Sequence, residues 1–425
     1  MGRLAILVSG DGVDKLLGVP MLPYGTGKAQ ADAVMEALQD WGLEDRVIGL
    51  GFDTTASNTG IIGGTCILLE QALGRQLLNL ACRHHMHELV AMKAFTECMG
   101  PSTGPEIVLF SRFKNQWMFL ETTSEDVRPL LDEEIVAPLL EKRKEFLELF
   151  GRHLTKSQPR DDYKELLELS IITLGGLPPR GVHLRRPGAL HRARWMATLI
   201  YGMKIWVLRD QFQLTSSERK GLKRFINFVL FLYVPAWYSA VEATAAPARD
   251  LRFYQSLVKY EDVDKGLSKA VVGTFGRHLW YLSEHLVGLA LFDFETPETV
   301  LEELAKAMKE VGAEGGKQPP KRIKLNPSGA TSKRLSDFAT PASFLLLDRL
   351  GCGRKFLELP VEDWKNDTQY LLGQRRAKAL GVINDRAERG VALMQDFNLQ
   401  LTRDESQHQF ILQVVEQHRK ENPSK

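Results

Sequence analysis

A strand that ends on a carboxylate is the first place in this sequence where chemistry could occur. In GFDTTASNTG, residues 51–60, Asp53 follows the apolar run VIGL and precedes several hydroxyl and amide residues. In open α/β sheets, functional side chains lie just beyond the carboxyl ends of strands, and a carboxylate there suits a hard cation such as Mg2+. The alternative is structural, because Asp53 or Ser57 could instead cap the helix that follows. Position alone leaves both interpretations open.

A second candidate site lies in CRHHMHEL, where sulfur, imidazole and carboxylate groups crowd into seven residues. The members are Cys82, His84, His85, His87 and Glu88. Such groups bind zinc, but a zinc finger needs a second pair of ligands at matching spacing, and this sequence has none. HHMHE lacks the HExxH pattern of metalloproteases, and no two cysteines form a CxxC pair. We therefore expect no structural zinc; at a strand-to-helix junction these histidines either contact a phosphate or base, or only cap the backbone.

A third candidate is HRARWMATLIY, in which Arg192 and Arg194 precede a helix that opens on Trp195. An arginine beside a tryptophan could hold a phosphate and stack a flipped base. The structural alternative is a core tryptophan beside an arginine that keeps its charged end in water. A fourth stretch, NDRAERGVALMQDFN, places Glu388 on a predicted helix, where a lone glutamate is usually solvated.

A basic segment follows the helical part of the chain. Residues 317–334, KQPPKRIKLNPSGATSKR, contain six lysines or arginines and no acid. Proline, glycine and serine among them predict a flexible basic loop over residues 312–336. Lys321, Arg322 and Lys324 are candidates for a phosphate-contacting arm or a nuclear-import signal. The alternative is a solvated loop that happens to be basic.

The elements that position these stretches are predicted to be α/β at first and helical afterwards. Apolar runs predict strands over LAILVS, RVIGLGFD and RQLLNLACRHH, with GVPMLP as a weaker extended piece. Helical spacing predicts helices over AQADAVMEALQDWG, IIGGTCILLEQALG and MHELVAMKAFTECM. This alternation indicates a sheet that is at least partly parallel. Residues 126–311 show helical periods, and helices return in the last 50 residues.

Composition bounds the class of protein. The chain has 425 residues, is 44% hydrophobic and 25% charged, and carries a formal net charge of +2. Binding to nucleic acid must therefore come from local basic patches rather than from overall charge. The longest apolar run, residues 225–237, is too short to span a bilayer and contains Pro235, so we expect a buried helix and no membrane segment. Unpaired cysteines and the lack of a signal peptide predict a nuclear or cytoplasmic protein that is not secreted.

Taken together and in order, the candidate stretches resemble the hAT superfamily of DNA transposases. The catalytic core of that family is an RNase H-like domain with two aspartates and a glutamate. The second family aspartate lies in a strand-end stretch similar to FDTTASN, which corresponds to Asp53. A Cys-x-x-His motif follows in the family, here Cys82 and His85, and an Arg-Trp pair comes later, here Arg194 and Trp195.

The family glutamate lies near the C-terminus in a triplet that resembles AER, which corresponds to Glu388. The 335 positions between Asp53 and Glu388 (388 − 53) suit the helical insertion found in such enzymes. The resemblance implies an α/β fold in which an RNase H-like mixed sheet is interrupted by a large α-helical insertion. Residues 1–125 would form the first part of the core, 126–375 the insertion, and 376–425 the helices that complete the core.

The resemblance also implies a chemistry and a partner. Asp53 and Glu388 would bind divalent ions, Mg2+ or Mn2+, about 3.5–4 Å apart, which activate water or a 3′-hydroxyl for strand cleavage and transfer. The Cys-x-x-His and Arg-Trp motifs would help to hold the DNA end, and the basic segment would contact phosphates. DNA is thus the expected partner, and homo-oligomerisation stays open.

One carboxylate of the family has no counterpart in this sequence. The first family aspartate lies on the first strand, whereas this chain begins on LAILVSG, which corresponds to the second strand, and Asp11 comes only in the turn after it. The zinc-binding DNA-recognition module common in the family is also missing. We therefore expect a truncated or domesticated copy that does not transpose DNA. Two alternatives stay open: a non-catalytic nucleic-acid-binding or protein-interaction scaffold, and an unrelated α/β hydrolase that uses Cys82 and His85.

Overall fold

Helices make up most of this protein, and its strands are short. The computed structural model describes residues 2–10, 12–101, 107–156, 161–188, 195–312, 323 and 325–383. Every strand within these ranges lies before residue 82, and helices account for the regular structure that follows. The predicted change from α/β to helical texture is therefore confirmed.

The strands described here pair two by two. They are β1 (Gly2–Arg3), β2 (Ile6–Gly10), β3 (Val13–Gly18), β4 (Met21–Leu22), β5 (Gly49–Phe52) and β6 (Leu78–Ala81). β1 pairs antiparallel with β4, β2 antiparallel with β3, and β5 parallel with β6. The predicted parallel component is confirmed. A single mixed sheet is not present in the described part of the chain, because no strand there joins the β2–β3 hairpin to the β5–β6 pair.

The β2–β3 hairpin turns through two residues, because Gly10 pairs with Val13. Gly12 has a φ of +80°, a left-handed conformation that glycine adopts without a Cβ clash. Asp-Gly at a two-residue loop is a strong hairpin signal. The sequence pattern predicts this turn but misses β3, because Asp14 and Lys15 interrupt its apolar run.

A small core lies under the hairpin. Helix α1 (Gly27–Asp40) begins after Thr26, whose side chain accepts a hydrogen bond from the Ala29 N–H at 3.3 Å. Its apolar face packs against the hairpin through a cluster of three buried residues, Ile6, Leu17 and Leu38. The N-terminal end of α1 lies against the loop before α3, and this contact fixes the hairpin unit to the rest of the molecule.

The parallel pair β5–β6 forms the sheet edge at which Asp53 and Cys82 lie. Its residues are in register from Gly49–Leu78 to Phe52–Ala81. The connection between the strands contains two helices, α2 (Ala56–Thr59) and α3 (Thr65–Leu73). Asp53 and Cys82 are the residues that follow these neighbouring strands, so both lie at the same carboxyl edge.

The helical part is organised around α4 (Arg83–Met99), which packs against α9, α10, α11 and α13. The remaining helices are α5 (Val108–Gln116), α6 (Ala137–Glu141), α7 (Arg143–Thr155), α8 (Asp161–Thr173), α9 (Trp195–Val207), α10 (Ser216–Phe228), α11 (Val234–Ser239), α12 (Ala246–Lys259), α13 (Lys265–Phe275), α14 (Glu298–Val311), α15 (Pro327–Ala330), α16 (Phe344–Leu350) and α17 (Thr368–Lys378). Because α4 begins directly after β6, the carboxyl edge of the sheet is continuous with this bundle.

The apolar run at residues 225–237 forms the predicted buried helix. Its backbone continues from α10 through a π-helical segment, Val229–Tyr233, into α11. Pro235 has no N–H to donate, and a π-helical turn is a known local adjustment where the regular ladder is interrupted. None of the helices in the described ranges is both long and apolar enough to cross a membrane.

One core crosses the predicted domain boundaries. A contiguous cluster of buried apolar residues extends from Phe52 in β5 to Val382 beyond α17. The predicted boundary between residues 375 and 376 falls inside α17. The helical part is therefore packed as one body with β5 and β6, because the same buried side chains belong to both.

The prediction of a flexible loop over residues 312–336 is wrong for residues 325–336, which contact neighbouring helices. The Tyr254 hydroxyl donates to the Leu325 carbonyl oxygen at 3.2 Å, and the Gln255 amide donates to the Ala330 carbonyl oxygen at 3.1 Å. Arg334 forms an ion pair with Glu303 at 2.9 Å. Apolar residues between the basic ones provide the reason, since Ala330 is fully buried and anchors this stretch on α12.

Candidate functional site

Asp53 is held by the turn that follows it. Its Oδ1 accepts hydrogen bonds from the Thr55 backbone N–H at 3.1 Å, the Thr55 hydroxyl at 2.6 Å and the Asn58 amide at 2.8 Å. The Asn58 amide also donates to the Asp53 carbonyl oxygen at 3.3 Å. This is the pattern of an aspartate that stabilises the start of a helix, here α2. The residue at the N-cap of α2 is Thr55, not Asp53 or Ser57, and no side chain accepts a hydrogen bond from the first N–H groups of this helix. Asp53 therefore stabilises the turn that leads into α2 and does not cap the helix.

The loop between Asp53 and α3 is packed tightly onto α1. A Cβ added to Gly27 would lie 2.2 Å from the Gly63 carbonyl oxygen and 2.6 Å from the Ser57 carbonyl oxygen. The Thr65 hydroxyl lies 3.1 Å from the Ser57 carbonyl oxygen as well. Only glycine allows this approach, because any side chain at position 27 would collide with two backbone oxygens. The loop after β5 is therefore held in close contact with the start of α1.

Cys82 and His85 occupy different environments at the β6–α4 junction. Cys82 is 5% exposed, and its backbone N–H donates to the Phe52 carbonyl oxygen at 2.7 Å. His85 is partly exposed, with Nδ1 at 3.4 Å from the Glu88 carboxylate one turn along α4. The hydrolase alternative expects an exposed thiol with a histidine partner, and the buried Cys82 does not meet that expectation.

Arg83 fixes this junction to the helical bundle. The side chain is buried, and its Nε donates to Asp250 Oδ1 at 3.1 Å, with Nη2 donating to the same oxygen. Nη1 donates to the Ala240 carbonyl oxygen at 2.7 Å. Burial raises the pKa of the Asp250 carboxyl, and the charge of Arg83 opposes this rise. An arginine with five donors in a fixed fork satisfies such a buried carboxylate better than lysine can.

Two further histidines of CRHHMHEL belong to the core. His84 stacks on the Trp237 ring with a centroid separation of 3.6 Å. His87 is buried next to Phe253 and Phe275, at ring centroid distances of 5.0 and 5.8 Å. Neither ring nitrogen of His87 has a hydrogen-bond partner, and burial lowers the pKa of its imidazole well below the usual value. Both imidazole rings are therefore packed among aromatic side chains in the protein interior.

The end of the described chain returns to the same sheet edge. The Arg83 backbone N–H donates to the Val382 carbonyl oxygen at 2.8 Å. The Gly381 carbonyl oxygen lies 3.8 Å from a Cβ added to Gly51, two residues before Asp53. A Cβ added to Gly381 would lie 3.5 Å from Ser9 Oγ, so the segment passes between β2 and β5. Residues separated by more than 300 positions thus meet beside the Asp53 loop.

Several sequence candidates lie outside the described residues. They are Arg194, Lys321, Arg322, Lys324 and Glu388. Trp195 is the first residue of α9, and only its backbone position is described. The structure therefore brings together Asp53, Cys82 and His85 at one edge, and the predicted pairing of Asp53 with Glu388 stays a prediction.

Metal binding can be tested against the donor set at this edge. No group of three or more His, Cys, Asp or Glu side chains suited to a metal ion occurs within the described residues. Asp53 is the only carboxylate directly after β5 or β6, and its Oδ1 already accepts three hydrogen bonds. Described residues alone do not supply a site for Mg2+ or Mn2+, because two-metal sites need several convergent carboxylates.

Arg83 and Val382 are absent from the sequence candidates, although both define this edge. Arg83 carries a weak signal, since a charged residue within an otherwise apolar strand-to-helix run is either exposed or paired. Its partner Asp250 lies 167 positions away, and no local pattern links them.

Comparisons with protein-family models, with curated proteins and with solved structures found no match to this chain.

Proposed function

We propose that this chain is a transposase-derived DNA-binding protein, similar to hAT-type transposases, that does not cleave DNA. Asp53 and Glu388 would be the two carboxylates that remain of the catalytic set. Cys82 and His85, with Arg194 and Trp195, would shape the surface that holds DNA. Asp53 and Cys82 directly follow strands β5 and β6, which is consistent with the order of the family aspartate and the Cys-x-x-His motif.

The return of residues 381–382 to the Asp53 edge is the observation that carries this proposal. Val382 is hydrogen-bonded to Arg83, and Gly381 is in contact distance of Gly51. Glu388 follows Ile383 by five residues, which span at most roughly 18 Å even when fully extended. The connectivity supports a Glu388 near Asp53, although 335 positions separate them in sequence.

The proposed loss of cleavage is supported by the number of carboxylates that the resemblance identifies in this sequence. A two-metal mechanism needs carboxylates on both sides of the reacting phosphate. The described residues contribute Asp53 alone at this edge, and three of its hydrogen bonds belong to a helix start. A site supplied by Asp53 and Glu388 alone would bind metal weakly, so we assign no catalytic step to this chain.

A non-catalytic scaffold without DNA binding is the second candidate function. The observation in its favour is the structural use of the CRHHMHEL cluster: Cys82, His84 and His87 are buried in the core. A protein-interaction scaffold would keep these residues for stability alone. The two candidates differ in their prediction for DNA affinity.

The test uses the full chain with a fluorescent duplex and a salt series. We expect binding that weakens steeply between 50 and 200 mM salt, because cationic side chains displace counterions from phosphates. The triple variant Lys321→Ala, Arg322→Ala, Lys324→Ala should bind more weakly with a shallower salt dependence. A matched triple variant at the exposed Lys144, Lys265 and Lys306 controls for net charge. Absence of binding by the unmodified chain would favour the scaffold.

Cleavage is tested separately with supercoiled plasmid and either Mg2+ or Mn2+. We expect no nicked or linear product. Divalent-dependent cleavage that disappears in Asp53→Ala and in Glu388→Gln would contradict the proposed loss of activity, while leaving the transposase relationship intact.

A further inference from the structure

One side of strand β5 has no hydrogen-bonded neighbour in the described ranges. The carbonyl oxygens of Ile48 and Phe52 both accept hydrogen bonds from N–H groups in or just after β6. Because the bonding direction alternates along a strand, the backbone groups of Gly49 and Gly51 point away from β6. Neither glycine forms a hydrogen bond with a described residue, and Gly51 is exposed. We term this the open side of β5.

The open side of β5 lacks the features that usually protect an edge strand. Such strands are commonly shielded by lysine, by proline or by a segment that covers them. β5 reads Gly-Leu-Gly-Phe and contains neither a charge nor a proline. On the far side of the pair, the Tyr281 hydroxyl donates to the Ala81 carbonyl oxygen at 2.8 Å, so β6 is covered there. The two-stranded pair is therefore closed on one side and unprotected on the other.

The two faces of β5 specify the kind of strand that fits beside it. Leu50 and Phe52 share the face that packs into the main core, whereas Gly49 and Gly51 share the opposite face. A strand paired with β5 continues both faces. It therefore needs an apolar side chain at every second position, with polar side chains between them.

One stretch of the sequence outside the described ranges has this pattern. Residues 397–402, FNLQLT, alternate strictly between apolar and polar side chains over six positions. Six residues is a typical strand length, and strict alternation is the signal of a half-buried strand. The stretch contains no glycine, proline or charged residue that would argue against pairing. The apolar members are Phe397, Leu399 and Leu401.

The described chain ends close to the open side of β5. The Gly381 carbonyl oxygen lies 3.8 Å from a Cβ added to Gly51, and Ile383, the last described residue, packs against the main core. Residues 384–396 connect this point to Phe397, and a segment of that length spans up to roughly 45 Å when extended. The alternating stretch can therefore reach β5.

We propose that residues 397–402 add to the open side of β5 as a third strand. Their backbone would pair with Gly49 and Gly51, and their apolar side chains would continue the face formed by Leu50 and Phe52. In strand addition, main-chain hydrogen bonds give the affinity and alternate side chains give the specificity. The segment that contains Glu388 would then be held at both ends beside β5. This inference does not depend on DNA binding.

Hydrogen exchange resolved to single amides tests the added strand in the full chain. The Gly49 and Gly51 amides should exchange at least about 100-fold more slowly than in an unstructured peptide, because the added strand withdraws them from water. The Leu50 and Phe52 amides are bonded to β6 with or without the added strand, so they report whether the pair is intact.

A matched pair of variants identifies the strand. The variant Leu399→Asp, Leu401→Asp places two charges on the face that would meet the core, and should bring both glycine amides within about tenfold of the unstructured rate. The variant Gln400→Asp, Thr402→Asp adds the same charges on the opposite face and should keep the protection. If the first variant also lost protection at Leu50 and Phe52, the sheet itself would have unfolded. Leu399→Ala, which adds no charge, then takes its place.

Each other outcome overturns the added strand. Fast exchange of both glycine amides in the unmodified chain means that nothing pairs with the open side of β5. Protection that survives the Leu399 and Leu401 variant, or that is lost equally in the Gln400 and Thr402 variant, means that residues 397–402 are not the neighbour. Protection that falls on dilution assigns the open side to a second copy of the chain. The proposed DNA binding is decided separately, by the affinity of the unmodified chain for duplex.

Discussion

Arg83 and Asp250 lie 167 positions apart and form a fully buried ion pair in the structure. Arg83 opens α4 directly after strand β6, and Asp250 lies in α12. The Nη1 atom of Arg83 donates to the Ala240 carbonyl oxygen at 2.7 Å. One side chain thus ties the sheet edge that carries Asp53 to the helical bundle, and the packing of the two parts depends on it.

Removal of one partner of this pair should be strongly destabilising. We expect Asp250→Ala to lower the free energy of unfolding by about 3–5 kcal/mol, because it leaves the Arg83 charge buried without a carboxylate. The double variant Arg83→Met, Asp250→Leu should recover most of this loss, since no uncompensated charge remains. Urea denaturation followed by circular dichroism measures both values.

An exposed ion pair provides the comparison for Asp250→Ala. Lys28 and Asp32 form an i,i+4 pair on α1, and Lys28→Ala should cost less than about 0.5 kcal/mol. If Asp250→Ala were as mild as Lys28→Ala, the buried pair would not be the structural link that its geometry indicates.

The sequence predicts the strands that precede Asp53 and Cys82, because glycines and helical patterns mark where each apolar run begins and ends. It predicts less about what surrounds them. A structural role for Asp53 can be predicted locally, because its donors Thr55 and Asn58 lie only two and five residues further along the chain. The roles of Arg83 and His87 depend on α12 and α13, which reach α4 only through tertiary packing. No single-sequence pattern encodes that pairing. Strand β3 escapes prediction for a different reason, because Asp14 and Lys15 interrupt its apolar run.

The buried imidazole of His87 should lower the free energy of unfolding at acid pH. Its folded-state pKa lies well below the unfolded value of about 6.5, because burial disfavours the charged imidazole. The unfolded chain therefore binds the extra proton first, so stability is unaffected above pH 7.5 and falls as pH drops through 6.5. The contribution of one such histidine is about 1.4 kcal/mol per pH unit below 6.5.

The variant His87→Phe isolates this contribution. Phenylalanine fits among Phe253 and Phe275 and has no ring nitrogen to leave unpartnered. We expect its free energy of unfolding to exceed that of the unmodified chain by about 1.4 kcal/mol more at pH 5.5 than at pH 7.5. Parallel pH profiles for His87→Phe and the unmodified chain would contradict the buried neutral imidazole.

Asp53→Ala should lower the free energy of unfolding even when no divalent metal ion is present. The substitution removes the acceptor for the Thr55 N–H, the Thr55 hydroxyl and the Asn58 amide, so we expect a loss of about 1–2 kcal/mol. Denaturation in EDTA measures this loss without divalent ions. Glu36→Ala, on the exposed face of α1, should change stability by less than about 0.5 kcal/mol. An Asp53→Ala variant as stable as Glu36→Ala would mean that the carboxylate does not stabilise the start of α2.

Gly27→Ala should disturb the fold of the loop between Asp53 and α3, which lies in close contact with the start of α1. The added methyl would lie 2.2 Å from the Gly63 carbonyl oxygen and 2.6 Å from that of Ser57. Because backbone oxygens cannot move away as a flexible side chain does, we expect a loss of about 3 kcal/mol or more in the free energy of unfolding. Gly25→Ala is the matched control, since a methyl at that position meets no atom within 4 Å and should leave stability within about 0.5 kcal/mol. Equal stabilities for the two variants would show that α1 does not hold the loop in the close contact observed.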